Sequence, residues 1–296
     1  IFIMTFPNET LPKVRKQKTT ALYDRFVNQG AVMGDSFGLE NVLWFANNKE
    51  DAHEEPTIKR SRSHDYVSRE VINVRENVGL IEVANFSKHE FKGTDARKFL
   101  DHVMAGKLPK PGRISLSPML SYRGKLCGDL TVACFDENEF MVFGSGAAQE
   151  MHRRWFESHL DKFDVNYKNR SDEFHGISIA GPNSRKVLEK IVRDDVSNEK
   201  FKFRDSRRMF VGGVPAIINR ISFTGELGYE IYVAPHYQIK LYEELMEAGR
   251  EFNIKPFGGR ALMSMRLEKN WGAWTLDYRP DFTAKQTGLD LSLIHI

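Results

Sequence analysis

The stretch RISFTGELGYEIYV, residues 220–233, decides the fold because it predicts a strand, a tight turn and a second strand. Ile221 and Phe223 alternate with polar neighbours, glycines mark the turn, and residues 229–233 are of types that favour strands. Glu230 interrupts that second run. Burying its carboxylate without a partner costs roughly several kcal/mol. Glu230 therefore either faces water on a half-buried strand or belongs to a site.

A related pattern lies about a hundred residues earlier, where GKLCGDLTV (124–132) aligns without a gap with GELGYEIYV (225–233). In this alignment Asp129 coincides with Glu230. A second pair of segments, GTDARKFL and GPNSRKVL, follows a short β-like segment in each half and opens an amphipathic helix. The same order in both halves predicts an internal duplication, although two matches can also arise by chance. If the duplication holds, Asp129 and Glu230 occupy equivalent positions and face one cleft.

The composition fits a folded protein with a sizeable core. The chain has 296 residues, of which 41% are hydrophobic, enough for one large domain or two smaller ones. A net charge of +3, evenly spread, gives no argument for a nucleic acid partner. Cys127 and Cys134 lack metal-ligand spacing and cannot form a disulfide framework, which favours a reducing compartment. No apolar run is long enough for a membrane span, so no membrane partner is expected.

Two further features bear on a site. Residues 144–148, GSGAA, predict an elbow from a strand into a helix, where a ligand can approach the backbone. The elbow lacks the phosphate-loop and dinucleotide patterns, so nucleotide binding is not expected. Arg260 begins a predicted helix over residues 260–269. The helix dipole disfavours an arginine there, which makes Arg260 a candidate for binding an anionic ligand; pairing with a surface acid is the alternative.

Four motifs together carry a family resemblance. ISFTGELGYEIYV, GKLCGDLTV, GPNSRKVL and GGRALMSMRLEK resemble the folate-binding domain shared by the glycine-cleavage T-protein and the dimethylglycine and sarcosine dehydrogenases. The resemblance covers about residues 18–290. Residues 4–38 and the run RLEKNWGAWTLDYRP are more similar to the dehydrogenases than to the stand-alone aminomethyltransferase. The usual tryptophan, arginine and proline of the linker motif are replaced by Leu39, Asn41 and Val42.

The resemblance implies an α+β fold of two interleaved α/β half-domains, truncated before a C-terminal barrel, with tetrahydrofolate held in the middle. Residues 1–45 would be a linker from an absent upstream FAD-dependent oxidoreductase domain, residues 46–290 the aminomethyltransferase-like folate-binding domain, and residues 291–296 a non-native tail.

The family's functional residues can be carried over position by position. Its essential acid falls on Asp129, its pterin-binding carboxylate on Glu230 and its folate-contacting arginine on Arg260. Ser145 stands where the T-protein has an asparagine. Phe223 stands where a tyrosine is common, so ring stacking can survive there but a hydroxyl hydrogen bond cannot. No metal ligand is expected.

The implied function is the tetrahydrofolate-binding part of an FAD-dependent N-methyl amine dehydrogenase. It would capture the oxidised one-carbon unit of an N-methylated amine, or of its iminium product, as 5,10-methylenetetrahydrofolate. The expected location is the mitochondrial matrix in a eukaryote or the cytoplasm in a bacterium. Two alternatives are a stand-alone aminomethyltransferase supplied by a lipoyl carrier protein and a folate-binding protein without a catalytic step.

Overall fold

The structure is a computed structural model that describes residues 15–289. The first 14 residues of the segment assigned to a linker and the tail at 291–296 lie outside the described residues. None of the helices formed by residues 15–289 combines the length and the apolar character that crossing a membrane requires. The described chain opens with a helix, a hairpin and a longer helix: α1 (Tyr23–Asn28), β1 (Ala31–Ser36), β2 (Leu39–Phe45) and α2 (Ser63–Glu76).

The first half of the domain, residues 79–157, contains five strands and two helices. In chain order these are β3 (Gly79–Glu82), β4 (Phe86–Lys92), α3 (Ala96–Val103), β5 (Arg113–Leu120), β6 (Leu126–Asp136), β7 (Glu139–Ser145) and α4 (Gln149–Glu157).

The second half, residues 166–248, repeats this order. Its elements are β8 (Asn166–Asn169), β9 (His175–Ala180), α5 (Ser184–Ile191), β10 (Ser206–Val211), β11 (Val214–Asn219), β12 (Gly228–Val233) and α6 (Gln238–Ala248). A two-residue strand and a helix follow: β13 (Lys255–Pro256) and α7 (Gly259–Glu268).

The two halves exchange their first strands. One sheet has the order β5-β6-β7-β4-β8, and the other has the order β10-β11-β12-β9-β3-β13. The short strand that opens the first half, β3, pairs with β9 of the second half, whereas β8 pairs with β4 of the first half. The interleaved half-domains expected from the sequence are therefore confirmed, and so is the duplication of their topology.

The GxxxRK motifs mark equivalent points in the two halves. Gly93 follows β4 with a φ of 146°, and Gly181 follows β9 with a φ of 133°. A Cβ atom at Gly93 would lie 2.2 Å from the carbonyl oxygen of Asp164, and one at Gly181 would lie 2.6 Å from that of Asn77. Only glycine tolerates both the backbone conformation and the close approach. This pair of positions gives the correct register between the halves.

The alignment of Asp129 with Glu230 is wrong in that register. Asp129 lies on β6, the middle strand of a three-stranded meander, and Glu230 lies on β12, the last strand of the other meander. Glycine turns precede both strands, which is why the sequences match, but the two turns belong to different hairpins. The acids are therefore not structural equivalents.

The prediction of a strand around Ile221 and Phe223 is also wrong. Residues 220–227 form the loop between β11 and β12. Local hydroxyl bonds replace the sheet ladder here, because the Ser222 and Thr224 hydroxyls lie 2.7 Å apart and each accepts a backbone N–H two residues further on. Gly225 then reverses the chain with a φ of 87°. The loop leaves the sheet and becomes one wall of the cavity described below.

The sheets pack face to face, and helices of each half cover the outer faces. α5 and α6 pack on the outer face of the second sheet, and α3 and α4 on that of the first. The inner faces meet in a shared core that also receives side chains of α7. Because side chains alternate along a strand, every second residue of β6 and β12 lies between the sheets.

Residues 15–45, the described part of the segment assigned to a linker, pack on this domain. Phe26 of α1 is buried, and its ring meets that of Tyr242 of α6 edge-on, with the centroids 5.6 Å apart. Trp44 of β2 is also buried and contacts Tyr66 of α2, with ring centroids 4.9 Å apart. The hairpin β1–β2 thereby places its tip beside the cavity.

Candidate functional site

A cavity of about 400 Å³ lies between the sheets, and we refer to it as the central cavity. Asp129 and Glu230 both line it, so the two acids share one site although they are not equivalent positions. Other parts of its wall come from the β1–β2 hairpin tip, the elbow after β7, the loop 221–223, α7 and the segment that follows α7.

Asp129 faces the cavity because of strand alternation. Its neighbours Leu130 and Val132 pack into the outer core with α3 and α4, which turns Asp129 and Thr131 inward. No side chain among residues 15–289 hydrogen-bonds to the Asp129 carboxylate. Burial raises the pKa of Asp129 to about 7, opposed only by the backbone N–H of Asp129 itself. Asp129 is therefore poised to hold or release a proton near neutral pH.

Glu230 occupies the facing strand in a more structured environment. It is 9% exposed, and Tyr232 donates a hydrogen bond of 2.8 Å to its Oε2. Burial raises the pKa of Glu230 to about 7, while the Tyr232 hydroxyl and the charges of Lys269 and Lys88 favour the ionised form. The alternative of a water-facing Glu230 on a half-buried strand is not what the structure shows, since the side chain faces the cavity.

Two of the other residues predicted from the sequence also line the cavity. Ser145 ends β7 and precedes a 3₁₀ turn over Gly146–Ala148. Gly146 keeps this elbow close to β4, because a Cβ atom there would lie 2.1 Å from the carbonyl oxygen of Asn85. Phe223 is half-buried on the loop between β11 and β12, and its ring forms part of the opposite wall.

Arg260 lies outside the set of residues that line the cavity. Its guanidinium donates to Ser63 Oγ at 2.6 Å and to Glu54 Oε2 at 2.5 Å. Of the two interpretations left open by the sequence, the geometry favours pairing with an acid over contact with a ligand in the central cavity.

Among the described residues that line the cavity, Lys269 is the one cation, and the predictions from the sequence did not include it. Its Nζ donates to the backbone oxygen of Ser222 at 2.9 Å, and the residue lines the cavity. Burial lowers the pKa of Lys269, while the charge of Glu230 opposes that shift. The signal was present, since Lys269 ends the motif GGRALMSMRLEK. It lies two residues before Trp271 and five before Trp274, which also line the cavity. Tyr232 could also have been found, because residues two apart on a strand share a face with each other.

The hydrogen-bonding groups of the cavity define what it can bind. Two carboxylates accept hydrogen bonds and one ammonium donates them. Flat apolar walls surround these groups, formed by the rings of Phe86, Phe143, Phe223, Trp271 and Trp274. Such a site suits a planar heterocycle that presents several N–H donors, because the rings stack on its faces while the acids bind its edge.

Other candidate sites are weaker. A cleft of about 580 Å³ lies under residues 266–289, but its one acid, Asp277, forms an ion pair with Arg266. Among residues 15–289, no three His, Cys, Asp or Glu side chains are grouped so as to bind a metal ion.

The chain is similar to proteins of one known family. The profile of the family described as GCVT N-terminal domain matches residues 22–293. The chain belongs to this family. It is 35% identical to the mitochondrial dimethylglycine dehydrogenase of Homo sapiens over 277 residues, which are 93% of this chain and 32% of that protein. It is 33% identical to the sarcosine oxidase subunit alpha of Rhizobium meliloti over 261 residues, 85% of this chain and 25% of that subunit.

The fold of the GCVT N-terminal domain is also found in a solved structure. The chain superposes on the glycine cleavage system aminomethyltransferase T from Bartonella henselae with a TM-score of 0.79 and 21% sequence identity. The match covers 94% of this chain and 69% of that one. The family and the fold expected from the four motifs are thus confirmed. The chain spans about a third or less of the length of the two curated relatives.

Proposed function

We propose that the central cavity binds the reduced pterin of tetrahydrofolate and that the domain captures a one-carbon unit on it as 5,10-methylenetetrahydrofolate. The observation that carries the proposal is the pair of carboxylates on facing walls of an aromatic-lined cavity. Burial raises the pKa of both, to about 7. Tetrahydrofolate supplies the amine nitrogens on which the one-carbon unit is fixed.

Asp129 would orient these nitrogens and accept the proton that one of them loses. A general base works best when its pKa lies near the working pH, and the burial of Asp129 places it there. Within the described residues no side chain competes for the carboxylate, so it remains available to the ligand.

Glu230 would be ionised and would accept hydrogen bonds from the amino and ring N–H groups of the pterin. Phe223 would stack on the pterin face, and Ser145 would offer a hydroxyl from the elbow. Lys269, rather than Arg260, would supply positive charge next to the ligand, because only Lys269 lines the cavity.

We assign the chain to the folate module of an FAD-dependent dehydrogenase of dimethylglycine or sarcosine type. The 35% identity to dimethylglycine dehydrogenase over 93% of the chain supports this choice. The flavin domain, which would oxidise the N-methylated amine, would lie in the part of the full-length protein outside this chain. The stand-alone aminomethyltransferase is the alternative, and the 21% identity of the solved aminomethyltransferase supports no more than a shared fold.

Titration of the 296-residue chain with tetrahydrofolate tests the proposal. Trp271 and Trp274 line the cavity, so binding should quench tryptophan fluorescence. Glu230→Gln should weaken binding by about tenfold to a hundredfold, as expected for a lost charged hydrogen bond. Glu189→Gln, an exposed change on α5, is the matched control and should bind as wild type does. Absence of binding to the wild-type chain would refute the proposal.

A further inference from the structure

The ring of Tyr232 is enclosed by contacts from both sheets. The residue is fully buried between the sheets. One face of its ring stacks on Phe143 of the first sheet, with centroids 4.6 Å apart and an interplanar angle of 28°. Gly176 of the neighbouring strand leaves room for the ring, because a Cβ atom there would lie 2.7 Å from it. The hydroxyl of Tyr232 is thereby fixed beneath the cavity.

The hydroxyl has one use in the described structure, which is to bind Glu230. It donates to Oε2 at 2.8 Å. No group among residues 15–289 hydrogen-bonds to Oε1 of Glu230, and this atom is not among the buried polar atoms that lack a partner. One oxygen is therefore held by the protein while the other remains accessible in the cavity.

We infer that Tyr232 is the positioning residue that orients Glu230, so that a single carboxylate oxygen, Oε1, receives the donor edge of the pterin. This inference rests on the proposed function and adds to it a residue that touches no ligand. It gives a role to the hydroxyl that is buried at this point of β12.

Three other titratable groups lie around Glu230, and the charges of two of them, Lys269 and Lys88, favour its ionised form. Lys269 approaches from the end of α7, Asp129 shares the cavity from β6, and Lys88 of β4 lies behind the Tyr232 ring with its Nζ 5.9 Å from the centroid. Lys88 is fully buried and donates to the carbonyl oxygen of Ala84 at 2.9 Å. Lys88 and Asp129 titrate in the same pH range, because burial places the pKa of each at about 7. The same groups are present in wild type and in Tyr232→Phe, so the difference between the two profiles reports the loss of the hydrogen bond.

Tyr232→Phe removes the donor and keeps the ring. Because the hydrogen bond favours the ionised form of Glu230, its loss should raise the pKa of that residue further. Near neutral pH, fewer molecules would then carry the carboxylate that binds the pterin. We expect tetrahydrofolate affinity to fall about tenfold near pH 7, with much of the loss recovered as the pH rises above the new pKa.

Tyr229→Phe is the matched control. Tyr229 lies on the same strand, is equally buried, and its hydroxyl accepts a hydrogen bond of 3.1 Å from Arg185 Nε. It faces the outer core rather than the cavity. Removing this hydroxyl should leave the affinity and its pH profile unchanged.

The experiment is a fluorescence titration of the 296-residue chain with tetrahydrofolate from about pH 5.5 to 9, a range that spans the expected titration. It compares wild type, Tyr232→Phe, Tyr229→Phe, Glu230→Gln and the Tyr232→Phe/Glu230→Gln double variant. If Tyr232 acts through Glu230, the first change adds nothing once the second is present. Additive losses, or a Tyr232→Phe profile equal to that of wild type, would overturn the inference and leave the proposed function standing.

A second variant keeps the test decisive if Tyr232→Phe does not fold. Incorporation of fluorotyrosine at position 232 preserves the ring and strengthens the hydroxyl as a donor, so it should shift the pH profile of binding downward. An unshifted profile would contradict the inference. Failure of the wild-type chain to bind tetrahydrofolate at any pH would instead refute the proposed function and the inference with it.

Discussion

The two halves of the domain share a topology and differ in what they place between the sheets. Gly93 and Gly181 are equivalent positions, and strand pairing extends this equivalence to the neighbouring strands. The counterpart of Glu230 is then Met141 of β7, and the counterpart of Asp129 is Pro215 of β11. Each acid thus corresponds to a nonpolar residue in the other half. The two halves therefore contribute different side chains to one shared cavity, although their strands follow the same order.

In the same register Tyr232 and Phe143 are equivalent positions. Their rings stack on each other where the two sheets meet. Only one of the two carries a hydroxyl. The difference between equivalent positions is therefore a single oxygen atom, and that atom binds Glu230.

The largest effect that would sharpen this comparison is expected at Asp129. Asp129→Asn keeps the shape of the side chain but removes the proton acceptor. It should reduce formation of 5,10-methylenetetrahydrofolate from tetrahydrofolate and formaldehyde, above the uncatalysed rate, by about a hundredfold to ten-thousandfold. The affinity for tetrahydrofolate should change much less. The reaction is followed by the product's absorbance.

Pro215→Ala changes the counterpart of Asp129 and serves as the control for that variant. Pro215 is exposed and lies outside the cavity lining, so this change should leave the rate unaltered. Equal turnover in Asp129→Asn and wild type would remove Asp129 from the catalytic role.

An intermediate effect is expected in the dependence of stability on pH. The pKa of Asp129 rises from 3.8 to about 7 on folding, so between these values the folded chain holds a proton that the unfolded chain has lost. Stability therefore falls as the pH rises through this window. Asp129→Asn does not titrate and should gain stability relative to wild type, on the order of 1 to 3 kcal/mol between pH 4 and 8.

Urea unfolding at the two ends of that range measures this difference. Glu230→Gln should show the same sign, because burial raises its pKa as well. Asp101→Asn, an exposed change on α3, should show no such trend. A constant difference between Asp129→Asn and wild type at all pH values would show that burial does not perturb Asp129.

The smallest expected effects are those of replacing Arg260 or Lys269, and they show which of these two cations contacts the ligand. Arg260→Ala breaks a partly exposed ion pair with Glu54 and should cost about 1 kcal/mol or less of stability, with tetrahydrofolate binding unchanged. Lys269→Ala removes the cavity's cation and should weaken binding several-fold. Fluorescence titration of both variants makes the comparison. A greater loss of affinity in Arg260→Ala than in Lys269→Ala would restore the arginine to the role that the family resemblance implied.

Local sequence predicted the elements whose causes are local. The glycines that begin α3 and α5 were recognisable because a positive φ and a close backbone contact leave a motif. The predicted helix over residues 260–269 corresponds to α7, Gly259–Glu268. The duplication pattern also drew attention to Glu230 and Asp129, although in the wrong register, and both line the cavity.

The features that the sequence did not predict depend on distant parts of the chain. Arg260 pairs with Glu54, more than two hundred residues away, and no pattern around Arg260 signals that partner. The loop at 221–227 has the alternation of a strand, but β11 already occupies the place beside β12. The register of the duplication was misjudged because similar turns precede different strands. Pairing in three dimensions decides all three cases.

The exchange of β3 and β8 has a consequence for how the chain is made. As the nascent polypeptide leaves the ribosome, β3 must wait for β9, which is synthesised almost a hundred residues later, before its sheet can close. Splitting the gene between the halves should therefore yield two fragments with open sheet edges, each of which needs the other to fold. The central cavity would be assembled late in folding, when the second half closes over the first.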